Sequence, residues 1–318
     1  MAPKILLSPQ QPDNIMQIVR ELAPPGFDIV PVDPGTPQFY EAAQNAEYFI
    51  GLARQMSGEF FRSAPKMKLV QLLSAGYDRV DIEAARKAKV PVANNGGANS
   101  VAVAEHAVML MLAVLKRLVY HHNNVAAGTW RAADFAALRT YEVEGKRLGI
   151  VGLGNIGKKV ARRVQGFDMD VRYYDILRLS EEQEDALGVR FTLFTELLQT
   201  SDIVTLHVPL NDVTRKLMST REFAMMKRTA ILINTSRGPV VDEKALAQAL
   251  KEGVIAGAGL DVYEREPAVE PALLELDNAV LLPHIASASE RTRTRMAVRA
   301  AENIRAFIDG KPLLDPVP

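Results

Sequence analysis

Short apolar runs alternate with amphipathic segments along most of the chain. The runs fall into two series, and each run has the length and composition of a buried β-strand. The predicted strands are 5–8, 27–32, 48–53, 69–74 and 90–94 in the first series, and 147–152, 171–175, 203–208, 230–235, 255–261 and 280–283 in the second. Near-continuous apolar strands are typical of parallel sheets covered on both faces. The pattern therefore predicts an α/β fold with two doubly wound parallel-sheet domains.

Helical patterns separate the strands of both series. In the first series 81–88 is one example, and the other predicted helices are 100–120, 155–166, 195–199, 219–225, 242–251 and 289–308. The long helix at 100 lies between the two series, and the last helix follows the second. This order predicts one domain built from 1–99 together with 285–318, and a second, Rossmann-like domain built from 100–284, with a cleft between them.

The segment 123–144 breaks the alternation. It contains Gly128, the only tryptophan, Trp130, and charges of both signs. We predict an excursion from the domain that contacts a partner subunit. Trp130 either packs locally or reaches the partner's active site, and the sequence leaves both possibilities open.

Composition excludes several classes of function. Lys plus Arg and Asp plus Glu number 38 each, so no net charge attracts nucleic acid or an anionic membrane. The chain has no cysteine, which excludes disulfides, thiol catalysis and cysteine-bound metal, and no metal site is expected. The start of the chain lacks the pattern of a secretion signal, and we expect a cytoplasmic protein. The apolar stretch 101–115 is shorter than the ~18 residues of a membrane span, which favours a buried helix.

A glycine-rich turn follows the first strand of the second series. The residues Gly152, Gly154 and Gly157 form the pattern G-x-G-x-x-G, with an apolar strand before it and a helical segment after it. Gly152 permits a tight turn, Gly154 lets the backbone approach a pyrophosphate, and Gly157 lets the helix pack against the strand. The first helical N–H groups, including those of Asn155 and Ile156, favour an anion. The turn in this context predicts a dinucleotide site.

The next strand ends in an acid, Asp175, close to the ~20-residue separation expected of this motif. Its carboxylate is suited to accept hydrogen bonds from the ribose hydroxyls, and it would repel a 2′-phosphate. Ile176 and Leu177 follow, so no arginine comes directly after the acid. The sequence therefore predicts NAD, with NADP less favoured because Arg172 and Arg178 lie nearby.

Polar residues follow three later strands of the same series. Arg237 follows the strand at 230, the acids Asp261, Glu264 and Glu266 follow the strand at 255, and His284 follows the strand at 280. A guanidinium grips a carboxylate at two points, a histidine transfers protons near neutrality, and a carboxylate beside the histidine favours imidazolium. These groups are the ones that hydride transfer to a 2-keto acid requires, and ligands bind at this edge of such sheets.

The same segments resemble the D-isomer-specific 2-hydroxyacid dehydrogenase family. The family pattern N-x-S-R-G-x-x-V-D matches 234–242, L-D-V-[FY]-x-x-E-P matches 260–267, and P-H-I-[GA]-[SG] matches 283–287. A G-x-D-x-[IV]-D turn at 76–81 and a V-A-E-H helix start at 103–106 extend the resemblance over most of the chain. It implies that Arg237 binds the substrate carboxylate and that His284 is the general acid–base. Glu266, which directly precedes the proline, is favoured over Glu264 as the partner of His284.

Further contacts are expected at other strand ends. The resemblance places Asp261 near the nicotinamide, and it implies a second anchor for the substrate carboxylate in backbone N–H groups of Ser74, Ala75 and Gly76. Ser74 departs from the small, flexible residue that the family often has there. His207 either lines the cofactor site or packs structurally. The full set of further cofactor candidates is His207, Val208, Pro209, Thr235, Ser236 and Asp261.

Three other functions share this fold. A formate dehydrogenase is disfavoured because that branch carries glutamine where this chain has Glu266, and phosphite oxidation is placed equally low. An NAD-sensing co-repressor or binding module would be expected to carry interaction tails, which are not evident. The substrate side chain is not specified by the sequence, and glyoxylate or hydroxypyruvate is the first hypothesis. The D stereochemistry and a homodimer are implied by the resemblance alone.

Overall fold

The structure is a computed structural model that describes residues 2–130 and 138–317. The chain divides into two compact units, one formed by Met1–Asn99 with Ala288–Pro318 and the other by Ser100–Ser287. The second boundary lies three residues beyond the predicted one, after the loop that carries His284 rather than within it.

The first unit contains a five-stranded parallel sheet. Its strands are β1 (Lys4–Ser8), β2 (Asp28–Pro31), β3 (Tyr48–Gly51), β4 (Leu69–Leu72) and β5 (Val92–Ala93), and its first helices are α1 (Asp13–Leu22), α2 (Pro37–Asn45), α3 (Gly58–Ser63) and α4 (Ile82–Lys87). The strand order is β2-β1-β3-β4-β5. In the central strands every residue of β3 and β4 is buried, as the continuous apolar runs predict.

The second unit contains a seven-stranded parallel sheet in the order β12-β11-β10-β9-β6-β7-β8. Its strands are β6 (Arg147–Val151), β7 (Asp170–Tyr174), β8 (Arg190–Phe191), β9 (Ile203–Leu206), β10 (Ile231–Asn234), β11 (Gly257–Leu260) and β12 (Ala279–Leu281). Its helices are α5 (Ser100–Leu115), α6 (Leu118–Ala126), α7 (Asn155–Val164), α8 (Glu181–Leu187), α9 (Phe194–Thr200), α10 (Thr220–Met225), α11 (Glu243–Lys251) and α12 (Pro271–Leu274). The strand order reverses between β6 and β9, and ligands of such sheets bind at the carboxyl ends beside that point.

The last helix, α13 (Glu290–Ile308), belongs to the first unit and packs against β4 and α1. Buried amides attach it to the sheet. The Asn303 side chain donates to Gln71 Oε1 at 2.5 Å and accepts from Leu314 N at 2.7 Å. Because buried polar groups are costly unless they are paired, these bonds select one docking position for the helix.

The predicted helix 100–120 is wrong as a single element. The helix ends at Leu115, Arg117 adopts a left-handed conformation with φ 52°, and α6 begins at Leu118. The two helices also differ in burial, since most of α5 is buried and no residue of α6 is. Part of the predicted excursion is therefore helical. Residues 131–137 of that excursion lie outside the described residues.

The strand β8 and the helices α8 and α12 were missed by the sequence analysis. The strand has only two residues, one exposed and one half-buried, so its apolar signal is weak. Over the described ranges, no helix combines the length and apolarity needed to cross a bilayer. The apolar α5 instead packs against β10, β11 and α7.

Candidate active site

The glycine-rich turn connects β6 to α7. Gly152 has φ 93°, a conformation that a residue with a Cβ rarely adopts, and a Cβ there would lie 2.7 Å from the backbone oxygen of His207. The space beside Gly154 is open for at least 4 Å. Within the described ranges, no hydrogen bond uses the N–H of Asn155 or Ile156. Open space and undonated N–H groups at a helix start suit a pyrophosphate.

Asp175 follows β7 and lies against this turn. Its carboxylate accepts from Leu153 N at 2.6 Å and from Leu177 N at 3.1 Å. Arg178 is directed elsewhere, because its guanidinium pairs with the buried Glu184 at 3.1 Å. The Asp175 carboxylate is therefore the charged group positioned at the turn, and a carboxylate there suits an unphosphorylated ribose.

His207 stands at the end of β9. Its Nε2 lies 3.0 Å from the Thr205 hydroxyl, whereas its Nδ1 is buried and has no partner among the described residues. Burial lowers the pKa of His207 to about 3. The ring is therefore neutral at physiological pH, and its buried Nδ1 is an unsatisfied polar atom of the kind that a bound cofactor could pair. Val208 is half-buried and Pro209 is exposed beside it.

The turn after β10 contains the next candidates. The Thr235 hydroxyl is buried and lacks a partner within the described part of the chain, which also fits a cofactor contact. The Ser236 hydroxyl and N–H both donate to Asn234 Oδ1, at 2.7 and 3.0 Å. Ser236 thus uses its side chain to close the turn. Arg237 follows, half-buried, and donates to the Ser236 carbonyl at 2.7 Å.

Glu266 and His284 form a direct pair. Glu266 Oε1 lies 2.8 Å from His284 Nδ1, and the side chains are 11 % and 42 % exposed. The contact engages Nδ1, so Nε2 is the ring nitrogen left for a reacting group. Glu264, the alternative, does not make this contact and instead accepts from Glu243 N at 2.9 Å.

The backbone at His284 is strained, and the residues that follow it are held by Asp261. His284 has φ 55°, a left-handed conformation that is costly for a residue with a Cβ. Asp261, whose side chain is 0 % exposed, accepts from Ile285 N at 2.9 Å and from Ala286 N at 2.8 Å. Burial acts to raise the pKa of Asp261, but the contact with His106 and the two backbone donors outweigh it and lower the pKa.

The carboxylate of Asp261 is thus engaged inside the protein. His106 Nε2 lies 3.4 Å from its Oδ1, and both backbone bonds go to the loop after His284. Asp261 therefore fixes the backbone that follows His284, and the sequence analysis missed this contact. Its contact with the nicotinamide stays a prediction.

Two contacts join the three segments that carry the candidate residues. Tyr263 donates its hydroxyl to the Leu282 carbonyl at 2.9 Å, which links the Glu266 loop to the end of β12. Gly238, next to Arg237, packs directly on the backbone of Tyr263. The Arg237 turn, the Glu266 loop and the His284 loop therefore support one another at one edge of the sheet, where β10, β11 and β12 are neighbours.

The candidate substrate turn of the first unit follows β4. The Ser74 hydroxyl donates to the Gly76 carbonyl at 2.7 Å, and Asn94 donates to the Ala75 carbonyl at 2.7 Å. In the described ranges, no hydrogen bond uses the N–H groups of Ser74, Ala75 or Gly76. The turn is thus fixed through its carbonyls, while its donors remain available to an anion.

Trp130 is 82 % exposed, so it does not pack into the core of its own chain. No group of three or more His, Asp or Glu side chains that could bind a metal is found in the part of the chain that the structure describes.

Comparison with known proteins gives a consistent result. Residues 108–286 match the model of the D-isomer-specific 2-hydroxyacid dehydrogenase NAD-binding domain. A glyoxylate reductase of Korarchaeum cryptofilum is 46 % identical over 262 residues, which cover 82 % of this chain and 79 % of that protein. A glyoxylate reductase of Thermococcus litoralis is 39 % identical over 316 residues, which cover 98 % of this chain and 95 % of that protein.

Solved structures agree. The crystal structure of a glyoxylate reductase from Paecilomyes thermophila has a TM-score of 0.87 and 31 % identity, with coverage of 100 % of this chain and 99 % of that one. The similarity therefore extends over both units and includes every segment that carries a candidate site residue.

Proposed function

The chain belongs to the D-isomer-specific 2-hydroxyacid dehydrogenase family, and on that premise we propose that it reduces glyoxylate or a similarly small 2-keto acid. The class of reaction follows from the family: the protein is an NAD-dependent oxidoreductase of 2-hydroxy acids. The choice of substrate, the site residues and the assembly are the parts that we add.

The observation that carries the proposal is the 2.8 Å contact between Glu266 and His284 Nδ1. A carboxylate at Nδ1 fixes the orientation of the ring. Nε2 of His284 is then the atom that exchanges a proton with the oxygen of a keto group. Few structural roles require a histidine in a left-handed conformation with a carboxylate on one nitrogen and the other nitrogen exposed.

We assign the cofactor to the second unit. The glycine turn receives the pyrophosphate, Asp175 the ribose hydroxyls, and Thr235 and His207 contribute the unsatisfied polar atoms described above. Bound NADH supplies the hydride that reduces the keto carbon. Because Asp175 disfavours a 2′-phosphate, the proposed preference is for NADH over NADPH.

Arg237 is the proposed substrate anchor. Its planar guanidinium binds a carboxylate at two points and so fixes the adjacent keto group. His284 Nε2 donates a proton to the carbonyl oxygen as it becomes a hydroxyl, and it accepts that proton in the reverse reaction. The donors of Ser74, Ala75 and Gly76 make the first unit the proposed substrate domain.

The substrate proposal is supported by the names of the relatives, which are glyoxylate reductases. The test is NADH oxidation with glyoxylate, hydroxypyruvate, pyruvate and branched 2-keto acids. We expect the highest kcat/KM with glyoxylate or hydroxypyruvate, and a loss of at least about 100-fold in His284→Ala. Tight NADH binding without turnover of any acid would instead indicate a binding module.

The proposal includes a homodimer and a location in the cytoplasm. The helix α6 exposes Leu118, Val119 and Val125, and Trp130 follows it. An apolar surface of this kind marks an interface more often than a free surface. Sedimentation of Leu118→Asp tests it, and an unchanged dimer would exclude this face.

A further inference from the structure

Glu243 is a buried acid that the proposed chemistry does not use. It is the first residue of α11, and it is only 6 % exposed. Acids in the first turn of a helix are ordinarily solvent-exposed, where they interact with the helix dipole at little cost. A carboxylate removed from water requires specific partners, so its contacts indicate what it does.

The contacts of Glu243 all reach one loop. Its Oε1 accepts a hydrogen bond from Glu264 N, and its Oε2 accepts from Glu270 N at 3.3 Å. In return, Glu243 N donates to the Glu264 carboxylate at 2.9 Å. The Glu243 side chain thus binds the loop backbone on both sides of Glu266.

The centre of that loop is exposed at Arg265, Pro267 and Ala268, whereas its ends are anchored, because Tyr263 is buried and Val269 packs against the core. Within the loop, Ala268 N donates to the Arg265 carbonyl at 3.0 Å, and Tyr263 N donates to Glu266 Oε1 at 3.3 Å. An exposed segment depends on its hydrogen bonds for a defined conformation. The two bonds to Glu243 add to these and fix the loop backbone on both sides of Glu266, so they are well placed to influence where its carboxylate lies.

The arrangement is costly for Glu243 itself. Burial raises the pKa of the Glu243 carboxyl, and the neighbouring acids Glu264 and Glu270 act in the same direction, while the two backbone donors oppose them. Lys216 lies at the edge of this cluster and pairs with Asp242 at 2.9 Å rather than with Glu243. Among the described residues, the partners of this carboxylate are thus the two backbone donors of the loop and not a basic side chain.

We infer that Glu243 is a positioning residue that holds the 264–270 loop so that Glu266 meets His284 Nδ1. The inference rests on the proposed function, because it assigns Glu243 an effect on proton transfer through Glu266. It predicts a change in kcat and not in substrate affinity, since Arg237 and not Glu266 is the proposed anchor.

The test compares Glu243→Ala and Glu243→Gln with wild type in the NADH-dependent reduction of glyoxylate, or of whichever 2-keto acid the panel selects. Alanine removes both acceptors, and glutamine retains one. We expect kcat to fall about tenfold or more in the alanine variant and less in the glutamine variant, with KM for the acid within about twofold, since general acid–base catalysis contributes about 10²–10⁴-fold.

The matched control is Glu181→Ala. Glu181 is also the first residue of a helix, α8, but it is exposed. The control therefore reproduces the loss of a first-turn acid without loss of a loop contact, and it should keep wild-type kcat. If Glu243→Ala does not fold, Glu243→Gln carries the same comparison.

A measurement that does not depend on turnover separates the inference about Glu243 from the proposed function on which it rests. Hydrogen exchange at the amides of Glu264 and Glu270 should be protected in wild type and faster in the Glu243 variants. If wild type reduces no 2-keto acid, the proposed function fails whatever the exchange shows. If wild type is active and a folded Glu243→Ala keeps its kcat, or raises KM alone, the inference is overturned.

Discussion

Gly238 is the point at which the Arg237 turn meets the Glu266 loop. A Cβ built on Gly238 would lie 1.8 Å from the carbonyl carbon of Tyr263, 1.9 Å from its oxygen and 2.4 Å from Glu264 N. All three are backbone atoms, so no side-chain rotation relieves the overlap. The substitution Gly238→Ala must therefore move one of the two catalytic segments.

The size of that movement follows from the contact. Bringing the nearest atom from 1.8 to 3.0 Å, the distance below which real Cβ contacts are essentially unknown, requires a shift of about 1.2 Å. A misplacement of about 1 Å in an active site costs about 100-fold in rate, which corresponds to about 2.7 kcal/mol. We therefore expect kcat/KM of Gly238→Ala to fall about 100-fold. Overpacking of this kind also costs about 1–3 kcal/mol of stability.

The assay is steady-state reduction with NADH, combined with thermal unfolding and a fluorescence titration of NADH. The glycine turn and Asp175 are remote in sequence from the change, so most of the NADH affinity should be retained, and any loss would report movement of the turn that carries Thr235. Gly166→Ala is the control, because a Cβ there meets nothing within 4 Å and the backbone is not left-handed. A folded Gly238→Ala with kcat/KM within threefold of wild type would show that the two segments are not coupled through this contact.

Three further outcomes are expected. Asp175→Asn, which removes the charge but keeps an acceptor near Leu153 N, should lower the ratio of kcat/KM for NADH over NADPH by about tenfold, or about 1.4 kcal/mol; an unchanged ratio would remove Asp175 from cofactor selection. Arg237→Lys should lose about 100-fold or more in kcat/KM because an ammonium cannot make the two-point grip, and near-normal activity would reject Arg237 as the anchor. For His207, the pKa of about 3 lies below the ordinary value of 6.5, so between these pH values the unfolded chain binds a proton that the folded chain does not, and stability rises with pH. Lowering the pH from 7 to 4.5 should therefore lower the free energy of unfolding by on the order of 2 kcal/mol through this residue, and urea unfolding of His207→Gln should lack that loss.

Much of the fold was predictable because its signals are local. A buried parallel strand is a continuous apolar run, and the strands of both units were predicted from such runs, except for the short β8. The glycine turn was predictable because each glycine answers a steric requirement within a few residues. The break between α5 and α6 at Arg117 was not predictable. The apolar pattern continues on both sides of it, and the residue with the left-handed conformation is an arginine rather than a glycine.

The residues that support the site were harder to predict from the sequence. Asp261 binds backbone groups more than twenty residues along the chain, and Glu243 reaches a loop at a similar separation. Neither contact leaves a periodic pattern, because backbone N–H groups are present at every position except proline. A buried acid at the start of a helix has the same letters as an exposed one, as Glu243 and Glu181 show.

Glu264 and Glu266 show what the sequence alone can and cannot distinguish. The two acids are the same residue type, two positions apart in one loop, and their side chains have different partners: Glu264 contacts the start of α11, whereas Glu266 contacts His284. Spacing rules assign side chains to faces in helices and strands, but an irregular loop has no such period. The residues alone therefore left both acids as candidates, and the family pattern selected Glu266 through the proline that follows it. The structure adds the physical distinction: Glu264 is engaged by Glu243, and that engagement leaves Glu266 as the acid directed to the histidine.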